Sequence, residues 1–244
     1  MELSSKIILV VGGATGIGRA TAIECAARGA TVIVADFNEV AGNETAAKCS
    51  GLFVPVNVAE EASVRAMYSA ISQEYGHINV LIQTAGILKG AYVPVVDFPL
   101  QTFTSVVDIN ASGSFLCAKY GVPLLKKAGG GVIILISSVA AHGVSSSVAY
   151  GTSKGAVSSL GITLANKLAA DNIRVNVVHP GGIKTYMKLS VIGAEAEARG
   201  ASADKAIEEA SAGSELGEPE GVARILAYLA SDEADYVRGF LHTR

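Results

Sequence analysis

Tyr150 and Lys154 stand four residues apart in Tyr150-Gly-Thr-Ser-Lys154, so on a helix the phenol and the amine share one face. A phenol with a pKa near ~10 is a poor acid–base group at neutral pH. An ammonium beside it favours the phenolate and pulls that pKa down. The spacing therefore suits proton exchange with an oxygen. Ser138 lies twelve residues before Tyr150.

A second cluster opens the chain. Gly12-Gly-Ala-Thr15-Gly16-Ile17-Gly18 follows the apolar run Ile7–Val11 and precedes a helix-like segment. Glycines in that context let backbone N–H groups approach a pyrophosphate, and the helix N-terminus adds partial positive charge. Thr15 can cap the helix or touch the phosphates. Asp36 ends the next apolar run, eighteen residues after Gly18. A carboxylate there accepts ribose hydroxyls and repels a 2′-phosphate, and neither Phe37 nor Asn38 is basic. NAD is expected over NADP. Phosphate turn, ribose reader and acidified phenol together point to hydride exchange with a nicotinamide.

These groups need a scaffold. Short β-branched runs at Ile7–Val11, Thr31–Ala35, Leu52–Val56, Val80–Thr84, Val132–Ser137 and Arg174–Val178 read as buried parallel strands. Helices are expected over Gly18–Ala27, Glu39–Lys48, Glu61–Tyr75, Leu100–Leu125 and Gly151–Ala170, with a final helix in Leu216–Ser231 and a last strand at Val237–Leu241. Such alternation predicts an α/β doubly wound parallel sheet of the Rossmann type. Ligands of these sheets bind beyond the carboxyl ends of the strands, where each motif falls. The whole chain, 1–244, reads as one domain.

Bulk properties exclude several functions. Half the residues are hydrophobic, 17% are charged and the net charge is −3, so neither nucleic acid nor anionic membrane is an expected partner. No apolar run reaches membrane-spanning length, and the N-terminus has no secretory pattern, so the expected location is cytoplasmic. Cys25, Cys49 and Cys117 fit no zinc spacing or disulfide framework and read as buried small residues; no metal is expected. Ser145–Ser147 read as a flexible polar loop, His142 as a loop residue and His179 as structural.

In this order and spacing the motifs resemble the short-chain dehydrogenase/reductase family over nearly the whole chain. The family's T-G-x-x-x-G-x-G is similar to Val11-Gly12 through Gly18, with valine for the first threonine. Its adenine-pocket Asp-Val corresponds to Asn57-Val58, and its N-N-A-G to Gln83-Thr84-Ala85-Gly86. Asn110, Ser138, Tyr150 and Lys154 match its catalytic residues, and Pro180-Gly-Gly-Ile183-Lys-Thr185 its nicotinamide-carboxamide segment. The resemblance implies that Tyr150 exchanges the proton, Ser138 binds the reacting oxygen, and Lys154 tunes Tyr150 and holds the nicotinamide ribose. Asn110 would hold a water that relays the proton. It also implies a mobile substrate lid, here residues 186–217, and a homo-oligomer, dimer or tetramer. By position Leu88, Val139, Val144, Tyr186, Met187 and Leu189 are pocket candidates. Their apolar character favours a neutral, hydrophobic secondary alcohol or ketone as the small-molecule substrate. Two alternatives stay open: an NADPH-dependent 3-oxoacyl carrier-protein reductase and a non-catalytic dinucleotide-binding or sensing protein.

Overall fold

The structure, a computed structural model, describes residues 2–243. Seven strands form one sheet: β1 (Ile7–Val11), β2 (Thr31–Asp36), β3 (Leu52–Pro55), β4 (Val80–Gln83), β5 (Gly131–Ile136), β6 (Ile173–His179) and β7 (Gly239–His242). All neighbours are parallel. Their order is β3-β2-β1-β4-β5-β6-β7. The order reverses direction between β1 and β4, which opens a crevice at their carboxyl ends.

The strands are apolar on both faces because helices cover both. On one face Leu9, Val11, Leu81 and Ile133 pack against α3 (Glu61–Tyr75), α5 (Gly113–Lys127) and α6 (Val148–Leu168) through Met67, Cys117 and Val157. On the other, Ile8, Val10, Ile82 and Ile134 meet α1 (Gly16–Ala27), α2 (Glu39–Lys48) and α9 (Pro219–Ala230) through Ala22, Ala46 and Leu226. The expected doubly wound architecture is the observed one. All three cysteines are buried free thiols, and burial pushes Cys25 and Cys117 up to about 12.

Two elements differ from expectation near the crevice. The segment read as one helix from Leu100 is α4 (Leu100–Val107), a π-helical stretch at Asp108–Ser112, and then α5. A π-turn adds a residue within the ladder and re-aims the side chains around Asn110. Helix α6 starts at Val148 rather than Gly151. Ser147 caps it by accepting from Tyr150 N–H at 3.3 Å and donates its hydroxyl proton to Lys89 O at 2.7 Å. The serine run read as flexible is thus anchored, and Tyr150 sits in the first helical turn. Residues 186–217 contain α7 (Tyr186–Ala198) and α8 (Ala203–Ala212). No helix among the described residues is long and apolar enough to cross a membrane.

Candidate active site

The turn after β1 admits no side chain at Gly12 or Gly18. Gly12 has φ +83°, and a Cβ on it would lie 2.3 Å from Ala85 N. A Cβ on Gly18 would lie 2.0 Å from Gly12 O. The threonine absent at Val11 has a counterpart across the sheet. The Thr84 hydroxyl donates toward Val11 O at 2.8 Å and Gly12 O at 3.1 Å, bracing the turn from β4. Thr15 is the N-cap of α1, but its hydroxyl makes no capping bond. The first-turn N–H groups and this hydroxyl form a cradle for an anion. The Asp36 carboxylate accepts from Ala14 N–H at 3.0 Å and Asn38 N–H at 2.9 Å, so the end of β2 and the glycine turn are tied together.

The far wall is built by close packing. Asn57 donates its side-chain N–H to Glu60 and accepts from Ala59 N–H, so its amide braces the start of α3. Val58 lies against Gly113, where a Cβ would be 2.9 Å from a Val58 methyl carbon. Thr185 caps α7 and abuts Gly16, whose added Cβ would stand 3.3 Å from the Thr185 methyl.

The four expected catalytic residues converge from β5, α6 and the π-turn. Ser137 and Ser138 divide as alternation along an extended chain requires. The Ser137 hydroxyl donates to Lys154 O at 2.8 Å and lies 2.9 Å from the Ser158 hydroxyl, facing α6. Ser138 is left beside Tyr150, with its Oγ accepting from Ala140 N–H at 3.2 Å.

Burial raises the Tyr150 pKa, and its hydrogen bond with Ser138 pulls it partly back. The expected lowering by an adjacent ammonium is therefore corrected. Lys154 is 5% exposed and donates to Ile136 O at 2.8 Å. Its Nζ lies 5.6 Å from the Tyr150 ring centre. Burial lowers its own pKa to about 8, so it keeps its charge at neutral pH and loses it as pH rises through that value.

Asn110 is 1% exposed, and both hydrogens of its amide are committed. Oδ1 accepts from Ile87 N–H at 2.8 Å; Nδ2 donates to Ile87 O and to Ser153 Oγ, each at 2.9 Å. It still meets Lys154 through Gly86: a Cβ there would be 3.1 Å from Asn110 Oδ1 and 3.4 Å from Lys154 Nζ. The amide thus holds the loop after β4 in place, and the water-holding role expected of it finds no free donor on this side chain.

One cleft of about 1080 Å³ joins the two clusters. Gly12, Thr15, Gly16, Ile17, Gly18, Asp36, Asn57, Val58, Thr84, Ala85, Gly86, Ser138, Tyr150, Lys154, Pro180, Ile183 and Thr185 all line it, whereas Asn110 does not. Leu88, Val139, Val144, Tyr186 and Met187 line its outer part; Leu189, also expected there, does not. Sequence reasoning missed Tyr92, Lys89 and Lys188 on the lining. Neither lysine belongs to a spaced motif, so only the fold brings them to the cleft. The side-chain-free turn at Gly12 and Gly18, the uncommitted Thr15 hydroxyl and the carboxylate at Asp36 fit a dinucleotide in chemistry and shape.

Known proteins share this design. A family model described as enoyl-(acyl carrier protein) reductase matches residues 12–242. The chain is 34% identical to the 3-oxoacyl-[acyl-carrier-protein] reductase FabG of Thermotoga maritima, over 98% of this chain and 96% of that protein. The structure of levodione reductase superposes with a TM-score of 0.90 at 27% identity, covering 99% and 96% of the two chains. That of a 7α-hydroxysteroid dehydrogenase, complexed with NADH and 7-oxo glycochenodeoxycholic acid, superposes at 0.85 with 29% identity, covering 99% and 94%. With the match running from the phosphate turn to the last strand, the chain belongs to the short-chain dehydrogenase/reductase family of nicotinamide-dependent oxidoreductases.

Proposed function

We propose that this oxidoreductase uses NAD to interconvert a neutral, hydrophobic secondary alcohol and its ketone, with Tyr150 as the acid–base group. The observation that carries the reading is the juxtaposition of Tyr150, Ser138 and Lys154 in one cleft with the glycine turn and Asp36. Nicotinamide supplies or accepts the hydride when bound. Gly12, Thr15, Gly16, Ile17 and Gly18 would hold its pyrophosphate, Asp36 the adenosine ribose, and Asn57 and Val58 the adenine side. Thr84, Ala85, Gly86, Pro180, Ile183 and Thr185 would flank the nicotinamide half, with Lys154 at its ribose. Ser138 donates a hydrogen bond to the substrate oxygen and stabilises its developing charge. Tyr150 delivers the proton to that oxygen in reduction and removes it in oxidation. Asn110 acts one layer back, fixing Ile87 and so the loop that carries Gly86.

The outer cleft supports the substrate class through Leu88, Val139, Val144 and Met187. Lys89 and Lys188 on the same lining favour a second reading, a carrier-bound 3-oxoacyl substrate with an anionic tether, in keeping with the Thermotoga relative. Asp36 opposes the NADPH preference that accompanied this alternative. Assembly as a homo-oligomer belongs to the proposal; Leu100 on α4, Phe115 on α5 and Ile162 on α6 are exposed apolar side chains available to an interface.

A panel of secondary alcohols and 3-oxoacyl thioesters, assayed with each dinucleotide by the absorbance of the reduced cofactor, tests the reading. Turnover of neutral alcohols with NAD⁺ is expected. Tyr150→Phe should lower kcat by at least ~10²-fold while leaving NADH binding intact. Near-normal turnover in that variant, or a clear preference for NADPH, would overturn the assignment.

A further inference from the structure

Three of the four histidines meet outside the cleft lining. His142 follows the short turn Val139–Ala141 after β5, His179 ends β6 and His242 ends β7. Strand register places His179 directly beside His242. The nearest ring nitrogens of the three lie within 4.8 Å of one another, and His142 Nε2 is 3.1 Å from His179 Nε2. We propose that His142, His179 and His242 form a binding site for a late first-row divalent cation such as zinc, separate from the hydride-transfer site.

The donor set points to that class. Three imidazoles with no carboxylate or thiolate suit Zn²⁺, Cu²⁺, Ni²⁺ or Co²⁺ and give Mg²⁺ and Ca²⁺ no oxygen ligands. At Zn–N distances near ~2.0 Å, two nitrogens of a tetrahedral ion stand about 3.3 Å apart. The His142–His179 separation of 3.1 Å is already close to that value. The third ligand has to move: His242 stacks on His179 at 4.8 Å between ring centres, with planes 19° apart. It is exposed on an edge strand, so a side-chain rotation brings its nitrogen toward the other two.

The remaining environment fits a ligand. His179 is fully buried, with the Phe240 ring in T-shaped contact with its own. Its Nε2 also contacts the Ser158 hydroxyl at 2.9 Å, but Ser158 keeps Lys154 O and Ser137 if an ion takes that nitrogen. Freeing the ligand therefore leaves Ser158 satisfied. Water supplies the fourth position, as in open three-histidine sites.

The test uses the full chain without an oligohistidine tag, stripped with EDTA and titrated with zinc sulfate by calorimetry. Cobalt substitution reports coordination number through its visible absorption. One ion per chain is expected, with the intense band of four-coordinate cobalt. His142→Ala and His242→Ala, both exposed positions, should each weaken zinc binding at least about tenfold, while His77→Ala changes nothing. Unchanged NADH binding in each variant shows that the fold is intact. No zinc uptake by the parent chain, undiminished uptake by the double variant, or equal loss in His77→Ala would overturn the proposal.

Discussion

Lys154 carries an opposition that a helical spacing does not reveal. It must be charged to favour a phenolate, yet it is buried, and burial lowers its pKa from 10.5 to about 8. The folded protein therefore binds fewer protons here than the unfolded chain between those two values. Stability rises with pH wherever the unfolded state binds more protons. The penalty is thus fully present below about pH 8 and is relieved as pH climbs towards 10.5. A shift of that size corresponds to at most about 3 kcal/mol. Before any dinucleotide is added, urea unfolding of the parent and of Lys154→Met across this range should separate the two. The parent gains on the variant by up to about 3 kcal/mol as pH rises. A difference that stays constant with pH would show that Lys154 is not held in the desolvated environment described. Tyr150, Lys154 and Asp36 were legible because their relation is covalent: a helical turn or a strand end sets it. The commitments of the Asn110 amide were not, because its partners Ile87 and Ser153 come from distant segments that only folding brings together.

At the scale of elements, legibility followed the strength of the local pattern. The bounds of Glu39–Lys48, Glu61–Tyr75 and Ile7–Val11 are those read from the sequence. Asn38 caps the first of these helices, and alternation of apolar runs with helical stretches marks the others. The π-turn inside Leu100–Leu125 was invisible, since no residue there breaks a helical pattern. Buried polar side chains were equally silent, and β6 depends on one. Arg174 donates to Asn176 Oδ1 at 2.9 Å and to the carbonyls of Leu229 and Ser231 at 2.8 and 3.2 Å. Asn176 in turn donates to Val237 O at 3.1 Å. The guanidinium fork ties β6, the strand next to the sheet edge, to the end of α9, and a lysine has no such fork. Arg174→Leu leaves those carbonyls without their donor and should destabilise the fold by about 3 kcal/mol. NADH affinity measured well below the melting point should be unchanged, because none of these atoms borders the cleft. A melting temperature equal to the parent's would show that the fork contributes nothing.

For the molecule as a whole, we propose that residues 186–217 form a lid over the cleft that moves as a unit. Their two ends leave and rejoin the body side by side. Ile183 bridges Gly217; Gly217 N–H donates to Gly182 O and Lys184 N–H to Gly217 O, each at 2.8 Å; Lys184 pairs with Glu218. Beyond that clamp, α7 and α8 pack on each other, so closely at Gly193 that a Cβ would stand 3.0 Å from Ile207. At the cleft mouth burial, and then a hydrogen bond with Glu195 of α7, raise the pKa of the Tyr92 phenol. A self-packed pair of helices, held by a clamp at its base and one polar contact at its rim, supports the proposal of a lid that moves as a body and excludes water when shut. The connection between the helices is flanked by Arg199 and Lys205, whose side chains are 75% and 76% exposed. Limited digestion with trypsin should therefore cut first at Arg199 or Lys205, leaving the sheet intact. NADH together with a substrate ketone should slow those cuts severalfold by favouring the shut form, more than NADH alone. First cuts within residues 2–185, or cutting at Arg199 and Lys205 that both ligands leave unchanged, would mean that α7 and α8 are a fixed part of the wall rather than its door.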